Sequence, residues 1–394
     1  MVPTTTPERL NAATGSSEVD DPAEAGRAAA TEAMAGLAGR TPALIVLYTS
    51  VRYDLPTLLS AVRRITGDDV PLVGATSSGH FRSGDLTKPE QGVAVLAITA
   101  GPYRFGIASV GGLSVDSHAA GAELARAAQA AVGPDRPPHA TLLLLADGLA
   151  TQQEALIRGI HSVTGAGVPV VGGGASDDRR LSQTFVFHDD QILTDTAVAV
   201  WIGSERPVPV TVGHGWNPIG PPLLVTKVDG QVVHELAGRP AREVFEEHIR
   251  TGNIEELERV RPGGFYSTHA FGLIEPDGSY LVRGVYKDQA GQIRTFAPLP
   301  VYSAIQVVAC EEEDLLDVSH NVAEQSVAGG ETSVLLIFSC VARLDVLQQR
   351  EEEAQRLQKA AGPVPIFGIY TYGEFARTTT ATGYHNATVA AVAL

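Results

Sequence analysis

Three loops of this chain combine glycine with hydroxyl, carboxyl and imidazole side chains, a set of groups suited to binding a small polar ligand. Each loop follows the same pattern of Val-Pro, two apolar residues and Gly, at 70–74, 168–172 and 364–368. Glycine lets backbone amides approach a ligand, while hydroxyls and one ionisable group orient it. The alternative is a Gly-rich hairpin turn whose Thr and Ser satisfy local backbone groups. The candidate ligand-binding residues of these loops are Thr76, Ser77, Ser78, His80, Ser176, Asp177, Asp178, Tyr370, Tyr372 and Glu374.

The ionisable position differs between the loops. The first and third loops align residue by residue, which pairs Gly79 with Gly373 and His80 with Glu374. The second loop carries Asp178 at the same place. A histidine where the other two loops have an acidic residue indicates a ligand, protonation or metal preference particular to the first loop.

A further candidate lies where an apolar strand enters a helix, in the run Ser-Cys-Val-Ala-Arg at 339–343. A helix N-terminus lowers the pKa of a thiol and attracts anions, so Cys340 is a candidate reactive thiol or part of an anion site. Arg343 is a candidate to hold a carboxylate in bidentate fashion. The alternative is a buried thiol beside an arginine that pairs with Glu374 or Asp345.

The eleven histidines do not form a metal-binding motif. H-E-x-x-H and related ligand spacings are absent, so we expect no structural or catalytic zinc site. His385, followed by Asn386, falls beside the supposed pocket and joins the candidate ligand-binding residues. A hydrogen-bonded structural role is the alternative for this histidine.

Composition narrows the class of protein. The net charge of -16 opposes binding to nucleic-acid phosphate or to an anionic membrane, because nothing would offset the repulsion. The two cysteines, Cys310 and Cys340, cannot form a disulfide framework, and they fit a reducing cytosol. The N-terminus lacks the apolar core of a signal peptide, and no run of about 18 apolar residues occurs. We therefore expect a cytoplasmic protein that binds neither nucleic acid nor membrane.

The three loops belong to a unit that the chain repeats: an apolar strand, an amphipathic helix, the Val-Pro strand with its loop, and a further apolar strand. The first three elements predict a crossover between parallel strands, and the continuous apolar runs predict burial on both faces. Gly101-Pro102 then turns the chain into an antiparallel strand, so we predict an α/β fold with mixed sheets built from repeated β-α-β-β units. The predicted elements are 44–50, 55–65, 70–74 and 93–99, then 142–146, 154–163, 168–172 and 198–203, then 334–340, 344–361, 364–368 and 389–394.

The repeat also predicts where the loops lie. Ligands of α/β sheets bind at the ends of parallel strands, and each loop follows an equivalent strand. We therefore expect the three loops to converge around shared concave surfaces, in one site or in two related by pseudo-symmetry. The second copy is preceded by a strand and helix at 104–110 and 117–132, and the third by a strand and helix at 304–309 and 312–326.

The chain divides into an extension and two domains. Residues 1–21 are polar and predicted to be disordered, and 22–39 are Ala-rich and predicted to form a solvated helix, so 1–40 is an N-terminal extension. The Gly- and Pro-rich stretch 213–222 follows neither the helical nor the strand periodicity, so it marks a domain boundary. The predicted domains are 41–222 and 223–394, and the stretch 223–300 has the weak character of a fourth copy.

Several phrases resemble the FIST family, in its N-terminal and C-terminal halves. They are PVVGGGASDD, FSCVAR, GIYTYGEF and HNATVAAVAL, with HGW, VTKVDG and PARE in order across the boundary. The resemblance covers residues 41–394 and identifies both predicted domains as FIST-type. It implies a sensory role, because FIST modules occur in bacterial signalling proteins beside kinases and in eukaryotic F-box proteins. No kinase or receptor domain follows here, so we expect a separate signalling partner such as a kinase.

The leading functional hypothesis is a sensor that binds a small polar or anionic ligand and is not an enzyme. Some bacterial FIST members are similar to haem-binding nitric-oxide sensors, which adds haem as an alternative cofactor, with His80 or His385 on the iron. A second alternative is an enzyme with Cys340 as nucleophile and His80 or His385 as base. A third is a protein-interaction scaffold, as the F-box relatives suggest.

Overall fold

The fold is described from a computed structural model. The structure describes residues 9–88, 90–252, 265–348, 351–377 and 383–394. Within these residues the chain forms three similar α/β units, and a β-rich segment is inserted into the third unit.

The first unit begins near the N-terminus of the described chain. Its second helix starts where Asp54 accepts a hydrogen bond from the Thr57 amide, with Pro56 in the first turn, and it ends at Gly67 with φ +85°. The elements of this unit are Ala12–Ser17 (β1), Pro22–Gly36 (α1), Leu44–Thr49 (β2), Leu55–Thr66 (α2), Leu72–Thr76 (β3), His80–Arg82 (β4), Asp85–Leu86 (β5) and Val93–Ile98 (β6).

The second unit repeats this order with a longer first helix. Its second helix again ends in a Thr-Gly pair, Thr164 and Gly165, in which the glycine has φ +71°. The elements are Arg104–Gly111 (β7), Leu113–Ala131 (α3), His139–Ala146 (β8), Gln153–Thr164 (α4), Val170–Gly174 (β9), Val186–His188 (β10), Gln191–Leu193 (β11) and Thr196–Ser204 (β12).

The third unit begins with Val210–Gly213 (β13), after which the inserted segment follows. The strands of this segment pair antiparallel throughout, and its first strand pairs with both the second and the last, so that the sheet closes into a barrel. Its elements are Asn217–Asp229 (β14), Val232–Leu236 (β15), Arg239–Pro240 (β16), Ala241–Gly252 (α5), Phe265–Ile274 (β17), Tyr280–Lys287 (β18), Ile293–Thr295 (β19) and Ala304–Ala309 (β20).

The chain then returns to complete the third unit. The remaining elements are Glu312–Val327 (α6), Leu335–Cys340 (β21), Val341–Val346 (α7), Glu352–Ala361 (α8), Ile366–Thr371 (β22), Glu374–Arg377 (β23), Tyr384–His385 (β24) and Val389–Ala393 (β25). The predicted parallel pairs are confirmed in all three units, as β2 with β3, β8 with β9 and β21 with β22. The mixed α/β character predicted from the sequence is likewise confirmed.

The units exchange hairpins in a ring. The β4–β5 hairpin of the first unit adds to β22 of the third, the β10–β11 hairpin of the second adds to β3 of the first, and the β23–β24 hairpin of the third adds to β9 of the second. The sheet orders are therefore β1-β6-β2-β3-β10-β11, β7-β12-β8-β9-β23-β24 and β13-β25-β21-β22-β4-β5. Each sheet is completed by strands from another unit.

The three sheets enclose one apolar core between their inner faces. Tyr48 of the first sheet stacks on Phe367 of the third, with ring centroids 5.0 Å apart. Leu145 and Val200 of the second sheet belong to the same cluster. Helices cover the outer faces, and each helical layer forms a cluster of its own.

The predicted N-terminal extension needs correction. Residues 12–17, predicted to be disordered, form β1 and pair with β6, while residues 1–8 lie outside the described part of the chain. The helix predicted to be solvated buries Ala25, Ala29 and Ala33. The buried face of α1 has small side chains instead of the usual large apolar ones, because α1 packs closely on its neighbours. The extension is thus an integral part of the first unit.

Two other expectations about the third unit are wrong. The strand at 304–309 is β20 and belongs to the barrel. The strand of the third unit that comes before α6 is β13, which lies ahead of the insertion in the chain and pairs with β25. The stretch 223–300 does not form a fourth copy, because its strands all pair antiparallel and lack the crossover. The predicted boundary at 213–222 lies where the chain leaves β13 for β14, so the third unit draws strands from both sides of it.

We predict that Gly15→Ala destabilises the whole protein. A Cβ at Gly15 would lie 2.1 Å from the carbonyl oxygen of Ala29, a backbone atom that cannot move aside. The free energy of unfolding in urea should fall by about 1–3 kcal/mol. Gly167→Ala is the matched control, because nothing lies within 4 Å of its Cβ position. Equal stability of the two variants would contradict the docking of β1 against α1.

Candidate functional site

The three predicted loops meet at one junction. The Ser78 hydroxyl of the first loop donates to Ser176 Oγ of the second at 2.9 Å, and Ser176 Oγ donates to the Tyr370 carbonyl of the third at 2.8 Å. The Tyr370 amide donates to the carbonyl of Gly79 at 2.9 Å. The exchanged hairpins bring the loops together, because each loop crosses from its own sheet to the next one.

The junction is filled largely by the protein's own groups. Asp177 accepts hydrogen bonds from the amides of Leu181, Ser182 and Gln183 at 2.7–2.9 Å and from the Tyr372 hydroxyl. Burial, and then the bond to Asp177, raises the pKa of Tyr372. These groups fix the turn, in line with the alternative of a hairpin that satisfies its own backbone. The candidate residues of the three loops that are buried are Thr76, Ser77, Ser78, His80, Ser176, Asp177, Asp178, Tyr370 and Glu374.

The hairpin register corrects the predicted alignment of the ionisable positions. His80 pairs with Ile369 and Glu374 pairs with Gly173, and the equivalent residue of the second unit is Val186, which pairs with Ala75. The second loop is longer than the other two. Counting residues from Gly172 therefore assigned to Asp178 the position that Val186 occupies in the structure.

Asp178 has a separate position in the second loop. It accepts a hydrogen bond of 2.7 Å from the Ser50 hydroxyl, and burial raises its pKa. Its φ is 53°, and Arg179 and Leu181 are also left-handed, at 64° and 52°. Three such residues in one loop store strain that the contacts of Asp177 and Asp178 must offset.

His80 is the loop residue with an unused polar atom. Its Nδ1 lies 3.1 Å from the Ser77 hydroxyl, while its buried Nε2 has no hydrogen-bond partner in the described part of the chain. Burial lowers the pKa of His80 to about 3, so the imidazole is neutral at physiological pH. A neutral imidazole can donate or accept a hydrogen bond at Nε2, depending on its tautomer.

A cavity of about 310 Å³ lies beside His80, between β1, the β4–β5 hairpin and β6. Arg82 in its wall donates to Ser16 Oγ at 2.8 Å and pairs with Glu32 at 2.9 Å. Glu18 pairs with Lys88 at 3.2 Å. The residues that line the cavity are Ser16, Ser17, Glu18, His80, Phe81, Arg82, Asp85, Leu86, Thr87 and Ala94. Hydroxyls and charges of both signs thus surround a space suited to a small polar molecule.

Glu374 occupies a closed polar cage. The hydroxyls of Thr371 and Thr388 each donate to its carboxyl group at 2.7 Å, and the Cys340 thiol also donates to it. Burial raises the pKa of Glu374 to about 7, although these hydrogen bonds oppose the rise. The carboxyl group therefore changes charge near neutral pH without contact with solvent.

Cys340 does not have the low pKa that its place before a helix predicts. Burial, and then the charge of Glu374, raises the pKa of the thiol. The helix α7 has only six residues, so its dipole is a weak opposing influence. The sulfur is a protonated hydrogen-bond donor in the core, and a nucleophilic role has no support in this geometry.

Arg343 has an internal carboxylate partner that the sequence analysis did not identify. Its guanidinium pairs with Glu353 at 2.8 Å, with both side chains 0% exposed. It also donates to Ser319 Oγ at 2.6 Å and to the carbonyls of Leu315 and His214 at 2.9 and 3.3 Å. The expected anchor for a ligand carboxylate is thus a structural ion pair, and neither Glu374 nor Asp345 is its partner.

His385 also has a structural partner. Its Nε2 donates to the carbonyl of Ala376 at 2.8 Å, and burial lowers its pKa to about 4. The usual iron-binding nitrogen is therefore engaged, while His80 borders a cavity of only about 310 Å³ whose walls carry Glu18, Arg82 and Asp85 instead of the large apolar slot that haem needs. Neither histidine fits an axial ligand of haem. In the described residues, no group of three His, Cys, Asp or Glu could hold a metal ion.

Comparison with known proteins agrees with this architecture. The model of the FIST N domain matches residues 43–239, and that of the FIST C domain matches residues 241–377. The chain belongs to the FIST family. FIST domains are sensory, signal-transduction domains rather than catalytic ones. None of the helices in the part of the chain that the structure describes combines the length and apolar character needed to cross a membrane.

Two mycobacterial relatives of this FIST protein are named as uncharacterized proteins. One from Mycobacterium tuberculosis is 29% identical over 374 residues, which cover 91% of this chain and 93% of the relative. One from Mycobacterium bovis is 27% identical over 257 residues, which cover 61% of this chain and 64% of the relative. Among solved structures, a cyanuric acid hydrolase from A. caulinodans is 11% identical, with a TM-score of 0.36. The match covers 97% of this chain and 99% of the hydrolase chain. A likeness at that level carries no argument about function.

Sequence reasoning missed the residues around these sites for different reasons. Glu353 is hidden in a run of glutamates, but its spacing of four from Leu357, and of eight from Ala361, places it on the buried face of α8. Ser16 and Glu18 could not be linked to His80, because β1 was predicted to be disordered.

We predict that Arg343→Met destabilises this FIST protein in the absence of any ligand. Removal of one partner leaves the buried Glu353 charge uncompensated, which should lower the free energy of unfolding by about 3–5 kcal/mol. The double variant Arg343→Met, Glu353→Leu should recover part of that loss, as measured by urea unfolding. A single variant as stable as the wild type would contradict the ion pair.

Glu374 should make stability depend on pH. Its folded pKa of about 7 exceeds its ordinary 4.5, so the folded state holds a proton that the unfolded state releases between these values. Stability should fall as pH rises from 4.5 to about 7, by about 3 kcal/mol for this group. We expect the difference in unfolding free energy between wild type and Glu374→Gln to shrink by that amount over this range. A difference independent of pH would show that Glu374 ionises normally.

Proposed function

We propose that this protein is a sensor that binds a small polar ligand in the cavity beside His80 and signals through a separate partner such as a kinase. The observation that carries the proposal is that His80, whose buried Nε2 has no hydrogen-bond partner in the described part of the chain, lines that cavity. Buried polar atoms without partners within the protein are rare in native proteins, and a functional role is one explanation for such an atom.

The charges of the cavity favour a ligand with at least one hydrogen-bond donor or a positive charge. Arg82 and Glu18 already have partners of opposite sign, whereas the carboxylate of Asp85 has none in the described part of the chain. A ligand that donates to His80 and meets Asp85 would complete both groups. Zwitterions and small amines have this chemistry.

The position of His80 gives a path for a signal. His80 lies in β4, which is a strand of the third unit's sheet, and its ring contacts Ser77 in the junction. The opposite wall of the cavity belongs to β1 and β6 of the first sheet. A ligand there would bridge the first and third sheets and so favour one arrangement of them over another.

A thermal-shift screen of amino acids, amines and short carboxylates tests this proposal. At least one of these compounds should raise the Tm of the wild type, and binding should weaken about tenfold or more in His80→Phe, which loses the ring nitrogens. Asp85→Asn should weaken the binding of cationic compounds, whereas Asp135→Asn, outside the cavity, should not. Shifts that survive both His80→Phe and Asp85→Asn would place the ligand elsewhere, and the absence of any shift would count against a small polar ligand.

A further inference from the structure

A second cavity, of about 460 Å³, opens between the start of α2 and the loop that follows Asp178. Its apolar floor includes Leu55, Phe185 and Ile192, and Arg180 stands in its wall. The residues that line it are Val51, Tyr53, Asp54, Leu55, Pro56, Arg180, Ser182, Gln183, Phe185 and Ile192. An apolar surface with a few polar groups is the usual composition of a site for an organic ligand.

The pseudo-symmetry of the units supplies a filled counterpart of this cavity. Ile192 pairs with Phe187 in its hairpin as Tyr384 pairs with Phe375 in the hairpin of the third unit. The helices α2 and α4 each have twelve residues and end in a Thr-Gly pair, so Pro56 corresponds to Glu154. The position over α4 that matches the second cavity therefore lies between Glu154 and Tyr384.

A side chain of the barrel occupies that matching position. Arg283 donates to Glu154 Oε1 at 2.7 Å and to the Tyr384 carbonyl at 3.1 Å, and it is 1% exposed. The unit architecture thus accommodates a charged group on an apolar stem between the second helix and the added hairpin. Over α2 no barrel residue that the structure describes lines the cavity, and the space is open.

The charges at the two positions are opposite. At α4 the wall is acidic, through Glu154, and the occupant is a cation. At α2 proline replaces that glutamate, and Arg180 adds a positive charge. The carboxylate of Asp54 caps the helix at the Thr57 amide, and the pair of Arg180 with Glu90, 3.6 Å apart, is half-exposed and weak. We propose that the second cavity binds an organic anion with an apolar body, its acidic group on Arg180 and its body over Leu55, Phe185 and Ile192.

Calorimetric titration with three matched probes tests this site: 4-phenylbutyrate, 4-phenylbutylamine and 4-phenyl-1-butanol. In the wild type, 4-phenylbutyrate should bind about tenfold more tightly than the amine, and Arg180→Gln should remove that advantage while leaving the alcohol unchanged. Arg64→Gln, an equal change of charge in the last turn of α2, is the control and should have no effect.

A reversal of charge gives the complementary test. The double variant Pro56→Glu, Arg180→Gln restores the carboxylate that α4 has at the matching position and should prefer the amine by about tenfold. Circular dichroism checks that each variant folds. Equal binding of the three probes to the wild type, or binding of none, would overturn the proposal. Asp85→Asn should not change any of these affinities, so failure here is distinct from failure of the site beside His80.

Discussion

The ring of exchanged hairpins is the constraint on which the remaining structure depends. Each unit supplies four strands to its own sheet and two to the sheet of another unit, so no sheet is complete on its own. The backbone hydrogen bonds of β3, β9 and β22 are satisfied only when all three crossings form. Closure of the ring also brings the inner faces of the sheets around one core. The loops that make the crossings therefore meet at one junction.

The meeting of the loops at this junction buries polar backbone and side chains, and buried polar groups need partners. Asp177 binds three amides of its own loop, and Arg343 and Glu353 neutralise each other. Such closed networks stabilise the fold little more than apolar side chains at the same positions would. An arrangement in which one partner is lost is strongly destabilised, however. The junction therefore specifies one packing of the three units. His80 is the loop residue that retains an unused buried atom, and it lies at the margin of the junction, beside a cavity.

The sequence predicted the strands and crossovers because their information is local. Apolar runs and the pattern of Val-Pro, two apolar residues and Gly each report on neighbours in the chain. The hairpin exchange could not be predicted, since β4 and β10 are short and nothing in their residues distinguishes their own sheet from the next. β1 was missed because AATGSS has small and polar residues, and the reason for them, close contact of Gly15 with α1, is tertiary. Arg343 was correctly singled out as a partner of a carboxylate, but the ligand was assumed where the protein supplied Glu353.

The insertion of the barrel breaks the symmetry that the ring creates. Three equal units would present the same groove three times, each bounded by a helix start and a borrowed hairpin. The barrel fills the groove over α4 with Arg283, whose buried charge needs Glu154 and would be costly without it. In the first unit the same position has Pro56, which can neither pair with an arginine nor repel an anion. The units thus share one architecture, and different residues at matching positions let one groove hold part of the protein itself while another is open. The charge that each groove accepts follows from the residue at the first turn of its helix and from the loop that faces it.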